Sequence, residues 1–194
     1  MPQESYAGFF MEFLKNPGTV GAVAPSSQRL AMQTVNAIDW SRVKALAEFG
    51  PGTGAITQII LDRKPADVHF FAIERCGRFV SVLQERFPGL KVFEDNVANV
   101  RAVAESQGLK SIDAVISGLP WSSFSDENQT EYLEALVDVL GPGGQFATYA
   151  YLTGLPLPSA RRFRKKLHKF FKHVRCTRTI WRNMPPAFVY HCSL

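Results

Sequence analysis

The chain has 194 residues, 46% of them hydrophobic and 20% charged, with a formal net charge of +5. That length suits one domain with a sizeable core and has no room for a second large one, and the hydrophobic fraction excludes a disordered polymer. Cys76, Cys176 and Cys192 are far apart and form no CxxC pair, so the sequence predicts reduced thiols rather than a disulfide framework or a metal site. The N-terminus lacks the basic start, long apolar core and cleavage site of a secretory signal. No apolar run approaches the about 20 residues of a membrane span, so the expected location is the cytosol.

The first candidate element is a short aromatic helix, in which Tyr6, Phe9, Phe10, Phe13 and Leu14 recur before Asn16-Pro17 ends it. Such a helix must bury its large side chains against the core, a partner or a membrane interface, and core and membrane both remain open. Residues 1–40 are read as an N-terminal helical segment, a candidate membrane contact and cofactor lid, and residues 41–194 as the core. Apolar runs predict strands at 43–49, 68–74, 90–94, 112–117, 144–151, 174–182 and 186–192. Helical stretches alternate with them along most of the length. That alternation predicts an α/β fold, a mainly parallel sheet with helices on both faces.

Between the first predicted strand and the helix-compatible residues 55–61 lies Glu48-Phe49-Gly50-Pro51-Gly52-Thr53-Gly54. Alternate glycines there let the backbone turn sharply and approach a ligand closely. Gly50, Gly52 and Ala55 also satisfy the spacing of dinucleotide folds, so the glycines alone do not choose the cofactor. The acids do more. Glu48 ends the first predicted strand, Glu74 ends the second with Arg75 beside it, and Asp95 and Asn96 follow the third. Glu74 is placed to accept hydrogen bonds from ribose hydroxyls, and Asp95 to face an adenine amine. Three acids at strand ends and no basic residue in the loop favour a positively charged cofactor without phosphates. S-adenosylmethionine, which becomes S-adenosylhomocysteine, has that chemistry. The binding set is then Glu48, Gly50, Gly52, Thr53, Gly54, Glu74, Arg75, Asp95, Asn96 and the strand-end Ser117. These residues resemble the class I S-adenosylmethionine-dependent methyltransferases.

After the 112–117 strand comes Ser117-Gly118-Leu119-Pro120-Trp121, where the donated methyl group is expected. Related amine methyltransferases carry an Asn- or Asp-Pro-Pro-aromatic or Asn-Leu-Pro-aromatic element here. This chain has Ser117-Gly118 instead of the amide side chain, which points to backbone carbonyls as the holders of the amine. Further on, the 139–194 segment carries ten of the 22 Lys and Arg and none of the 17 acids. Arg161, Arg162, Arg164, Lys165, Lys166, Lys169 and Lys172 surround an apolar stripe of Phe163, Leu167, Phe170, Phe171 and Val174, a basic amphipathic helix. The stripe is expected to pack on the sheet. The charges suit phospholipid headgroups or a nucleic-acid backbone.

The resemblance narrows on three motifs: the 16–27 segment from Asn16-Pro17 to Pro25-Ser26-Ser27, the Ser-Gly-Leu-Pro element, and Trp181-Arg182-Asn183-Met184-Pro185-Pro186. Together they look like the short bacterial phospholipid N-methyltransferases. Those enzymes convert phosphatidylethanolamine toward phosphatidylcholine, the reaction the resemblance implies for this chain, and some relatives methylate ornithine lipids. The similarity spans nearly the whole chain. It implies a single-domain Rossmann-like fold with a seven-stranded, mainly parallel sheet and an antiparallel C-terminal strand. It also implies that Ser26 and Ser27 border the cofactor, and that the first helix meets the inner face of an anionic membrane as a peripheral protein. On this reading a neutral amine attacks the sulfonium methyl group, with Ser117, Gly118, Leu119, Pro120, Trp121, Tyr149 and Tyr151 forming the reacting pocket. Tyr149, Tyr151 and His191 are candidates to receive the proton, and Trp121, Phe124, Tyr149 and Tyr151 to surround the methylated nitrogen. Arg182 is a candidate for the lipid phosphate. Two rival readings are an adenine N6-methyltransferase of ribosomal RNA and a cofactor-binding, membrane-associated protein without turnover.

Overall fold

The computed structural model describes residues 25–194. The aromatic helix expected around Tyr6 to Leu14 lies outside the described residues, as do the side chains of Ser26 and Ser27. The described elements are α1 (Pro25–Asn36), β1 (Ala45–Phe49), α2 (Ala55–Arg63), β2 (His69–Glu74), α3 (Gly77–Arg86), β3 (Lys91–Glu94), α4 (Val100–Ser106), β4 (Ile112–Ser117), α5 (Asp126–Val139), β5 (Leu140–Tyr151), α6 (Pro158–Phe170), β6 (His173–Cys176) and β7 (Ala187–Ser193).

The strands form one seven-stranded sheet in the order β3-β2-β1-β4-β5-β7-β6. β1 to β5 are parallel, while β7 runs antiparallel to both β5 and β6. The central strands carry near-continuous apolar runs because both faces are covered: all five residues of β1 are buried. One core lies on each face of the sheet. Leu133, Leu136 and Val139 of α5 pack with Phe71, Ile73 and Phe146 on one face, and Leu30 and Val35 of α1 with Ile56 and Ile60 of α2 on the other. Burying a side chain of this size contributes about 1.5–3 kcal/mol.

Local chemistry sets the helix boundaries. α5 starts where Ser125 Oγ accepts the Asn128 N–H at 3.2 Å, with Asp126 and Glu127 in its first turn facing the positive end of the helix dipole. α6 starts on Pro158, which has no N–H to leave unpaired. The first part of its stripe packs as expected: Phe163 and Leu167 are buried, and Phe163 stacks on Trp121 at 4.8 Å between ring centroids, but the helix ends at Phe170, so Phe171, Lys172 and Val174 lie beyond it and Val174 belongs to β6. Arg162 and Lys166 reach Asp126 at 3.3 and 2.8 Å, and Arg161, Arg164, Lys165 and Lys169 are exposed.

Two strand boundaries differ from the prediction by more than two residues. β5 begins at Leu140, four residues early, because a register shift between Ile112 and Ala114 absorbs the Gly-Pro-Gly-Gly run. The sixth strand stops at Cys176 instead of reaching 182. There Thr177 Oγ1 takes the Val189 N–H at 3.0 Å, and only the isolated Ile180–Ala187 bridge continues the pairing before residues 181–186 turn back. Pro185 and Pro186 have no N–H to extend a ladder.

Candidate functional site

β1 and β4 are neighbours in the sheet, but β1 connects onward to β2 on one side and β4 to β5 on the other. At such a switch point the two following loops diverge and leave a crevice beyond the carboxyl ends of the strands. A cavity of about 550 Å³ occupies it, within the range of small-molecule sites.

The glycine loop forms one wall. Gly50, Gly52 and Gly54 all take positive φ, at 65, 57 and 85°, a conformation that side chains disfavour. Gly50 also meets the loop after β4 face to face. A Cβ on Gly50 would lie 2.5 Å from Leu119 Cδ2, and one on Gly118 would lie 2.7 Å from the Gly50 carbonyl oxygen. Gly118 N–H donates to the Phe49 carbonyl at 2.8 Å, which ties the loop after β4 to the end of β1, and Gly50 N–H donates to the Ile73 carbonyl at 2.9 Å, which ties the glycine loop to β2. This contact gives a physical reason for the missing Asn or Asp: with the loops in this position, residue 118 has no room for a side chain.

Glu74 reaches the cavity from the end of β2. Its Oε2 accepts the Gly52 N–H at 3.0 Å and its Oε1 the Cys76 N–H at 2.9 Å. Each oxygen keeps a lone pair for a further donor, the requirement for holding a diol. Asp95 lines the cavity too, its Oδ1 accepting from Asn96 N–H and Asn99 Nδ2, each at 2.7 Å. Asn96 caps the short helix Val97–Asn99 through its side-chain oxygen. Thr53 and Arg75 are also in the lining, and Gly54 is not.

Glu48 is placed differently from the other two acids. It is fully buried, its Oε2 accepts from Thr57 Oγ1 at 2.7 Å, its Oε1 has no partner, and it does not line the cavity. Burial pushes its carboxyl up to about 8, against the opposing Thr57 hydrogen bond and with the Glu74 charge adding to the rise.

The opposite wall holds Gly118, Leu119, Pro120, Ser123, Phe124, Tyr132 and Tyr149. Tyr149 Oη lies 3.4 Å from the Gly118 carbonyl oxygen, and burial holds its phenol well above the ordinary range, so it stays protonated at neutral pH. Five residues assigned to the reacting pocket or the lipid by sequence lie outside the lining. Ser117 is buried beneath it, its Oγ accepting from Leu119 N–H and Trp121 Nε1 at 3.2 and 3.1 Å. Trp121 is in the core, sandwiched with Phe163. Tyr151 sits one pleat beyond Tyr149, rings 5.6 Å apart, outside the lining. His191 pairs with Ala147 and contacts Gln145 Oε1 at 3.3 Å, toward the other end of β5. Arg182 is exposed on the 181–186 turn.

Several lining residues escaped the sequence reading: Ile56, Ile73, Phe79, Val97 and Tyr132. They come from helices and strand ends where an apolar residue carries the same signal whether it faces a core or a ligand. They add largely apolar surface to the lining, suited to a planar base, and the glycine loop carries no basic side chain. The residues therefore fit an adenosine with a cationic tail better than a pyrophosphate.

No protein-family model matches the chain. It is 34% identical over 187 residues to the ornithine lipid N-methyltransferase of Singulisphaera acidiphila, covering 95% of this chain and 93% of that protein. Among solved structures, it superimposes on the N-methyltransferase NodS from Bradyrhizobium japonicum, in complex with S-adenosyl-L-homocysteine, with a TM-score of 0.69. That match has 13% identity and covers 97% of each chain. Streptomyces venezuelae DesVI matches with a TM-score of 0.63 and 11% identity, over 96% of this chain and 98% of that one. The structural likenesses establish the fold.

Proposed function

Because this chain belongs to the lipid N-methyltransferase family, we propose that it transfers methyl groups from S-adenosylmethionine to the headgroup amine of a membrane lipid, with ornithine lipid ahead of phosphatidylethanolamine. The observation that carries the acceptor class is the 34% identity to an ornithine lipid N-methyltransferase over 95% of the chain. The wall opposite the acids, where Gly118 offers a backbone carbonyl beside Tyr149, is consistent with it.

S-adenosylmethionine, when bound, supplies an electrophilic methyl group on a positively charged sulfur. Glu74 would hold the ribose hydroxyls, Asp95 and Asn96 the adenine edge, and the glycine loop the tail. The protein's task is alignment and exclusion of water. The Gly118 carbonyl and Tyr149 hydroxyl accept the N–H groups of the incoming amine and aim its lone pair into the cavity. Tyr149 keeps its own proton at neutral pH, so it positions the amine and does not deprotonate it. The amine loses its proton to solvent before attack, because a protonated nitrogen has no lone pair to donate. Phe124 and Tyr132 flank this wall and can follow the positive charge as it grows on the product nitrogen.

The test is incubation with methyl-labelled S-adenosylmethionine and, separately, vesicles containing ornithine lipid, vesicles containing phosphatidylethanolamine, or undermethylated ribosomal RNA. Label in ornithine lipid is the expected result. Label in phosphatidylethanolamine alone moves the headgroup assignment, and label in RNA alone overturns the lipid reading.

A further inference from the structure

The turn joining β6 to β7 holds two large apolar side chains in water, at the same end of the sheet as the cavity, beyond the carboxyl ends of the parallel strands. Trp181 is 73% exposed and Met184 is 92% exposed, and Arg178 and Arg182 beside them are exposed as well. The register fixes their position. β7 begins at Ala187 opposite Tyr151, the last residue of β5, so residues 181–186 project past the carboxyl ends of the parallel strands. Tyr149, in the cavity wall, pairs with Val189 only two residues into β7.

The turn is also tied down. Asn183 is buried, its Nδ2 donates to the Pro185 carbonyl at 2.6 Å, and its N–H donates to the Ile180 carbonyl at 3.1 Å. Ile180 N–H donates to the Ala187 carbonyl at 2.7 Å, and Leu152 N–H to the Pro186 carbonyl at 2.8 Å. A polar side chain is thus spent inside the turn while a tryptophan and a methionine are held outside it. That is the reverse of what solubility favours.

We infer that this turn is a bilayer wedge: Trp181 and Met184 enter an anionic lipid surface, and Arg178 and Arg182 bind its phosphates, seating the cavity mouth on the membrane. The inference rests on the lipid-substrate reading above. Tryptophan suits the headgroup level, where its ring is half in hydrocarbon and its N–H stays wet. Charge selects the surface. Arg178 and Arg182 stand exposed beside the two apolar side chains, and each basic side chain near an anionic leaflet adds attraction.

The test compares the full chain with a Trp181→Ser/Met184→Ser variant, using vesicles of phosphatidylcholine and phosphatidylglycerol that contain the methyl-accepting lipid. The variant is expected to bind vesicles about tenfold more weakly. Turnover on vesicle lipid should fall with binding, while turnover of a short-chain aminolipid dissolved as monomers should be unchanged. Brominated lipid should quench Trp181 emission, read as the difference between the full chain and Trp181→Phe. Equal vesicle affinity with no quenching overturns the inference. So does equal loss on the dissolved substrate, which would make the turn part of the acceptor site. Failure of iodide to quench Trp181 without vesicles also overturns it, because the turn would already be covered by the rest of the chain. If no lipid is methylated in either form, the function reading fails, and the quenching still decides the wedge separately.

Discussion

Replacing Glu48 with Gln should flatten the dependence of stability on pH. Glu48 is fully buried with one hydrogen bond, from Thr57, and burial raises its carboxyl from 4.5 to about 8. The folded state therefore holds a proton that the unfolded chain releases between those values. This group's contribution to stability is complete below 4.5 and is lost as pH rises toward 8. A pKa unit is worth about 1.4 kcal/mol, so from pH 5.5 to 7.5 the wild type loses on the order of 2–3 kcal/mol through this residue. Gln keeps the shape and the acceptor for Thr57 and has no proton to lose. Urea unfolding of both proteins at the two pH values measures the difference. His69 and His191, both lowered chiefly by burial, titrate with the opposite sign, but they do so equally in both proteins and cancel in the comparison. Equal slopes for wild type and variant would refute the reasoning and mean that Glu48 is ionised in the fold.

Two substitutions test the cavity directly. Glu74→Ala removes the acceptor of the Gly52 and Cys76 N–H groups and, on the proposed reading, of the ribose hydroxyls. Binding of S-adenosylhomocysteine by calorimetry should weaken by about 1–3 kcal/mol, and unchanged affinity would remove Glu74 from the cofactor site. Gly118→Ala places a Cβ 2.7 Å from the Gly50 carbonyl oxygen, so the two loops must separate. Methyl transfer should fall by about 100-fold, the cost of misplacing reacting groups by roughly 1 Å. A kcat/KM equal to wild type would show that the loops part without moving the site.

The sequence by itself determined the parallel sheet, the glycine loop and the acids at the ends of β2 and β3. Their signals are local: apolar runs of strand length, alternate glycines between a strand and a helix, and carboxylates at the ends of the runs. It also located the segment that forms the opposite wall, Gly118 to Pro120, together with the basic helix whose apolar stripe packs inward. Only the tertiary structure decided which strand ends meet, because β1 lies beside β4 across 62 residues of intervening chain. That adjacency closes Gly118 against Gly50 and excludes the side chain that the sequence could only report as missing. It turns Glu48 toward Thr57 and leaves Glu74 facing the cavity, although both are acids at the ends of neighbouring strands. It buries Ser117 and Trp121 under the pocket and brings Phe79, Val97 and Tyr132 into its wall. Identity and spacing along the chain do not encode which way a side chain points after folding. For these residues, that direction is set by the neighbouring strands and helices packed against them.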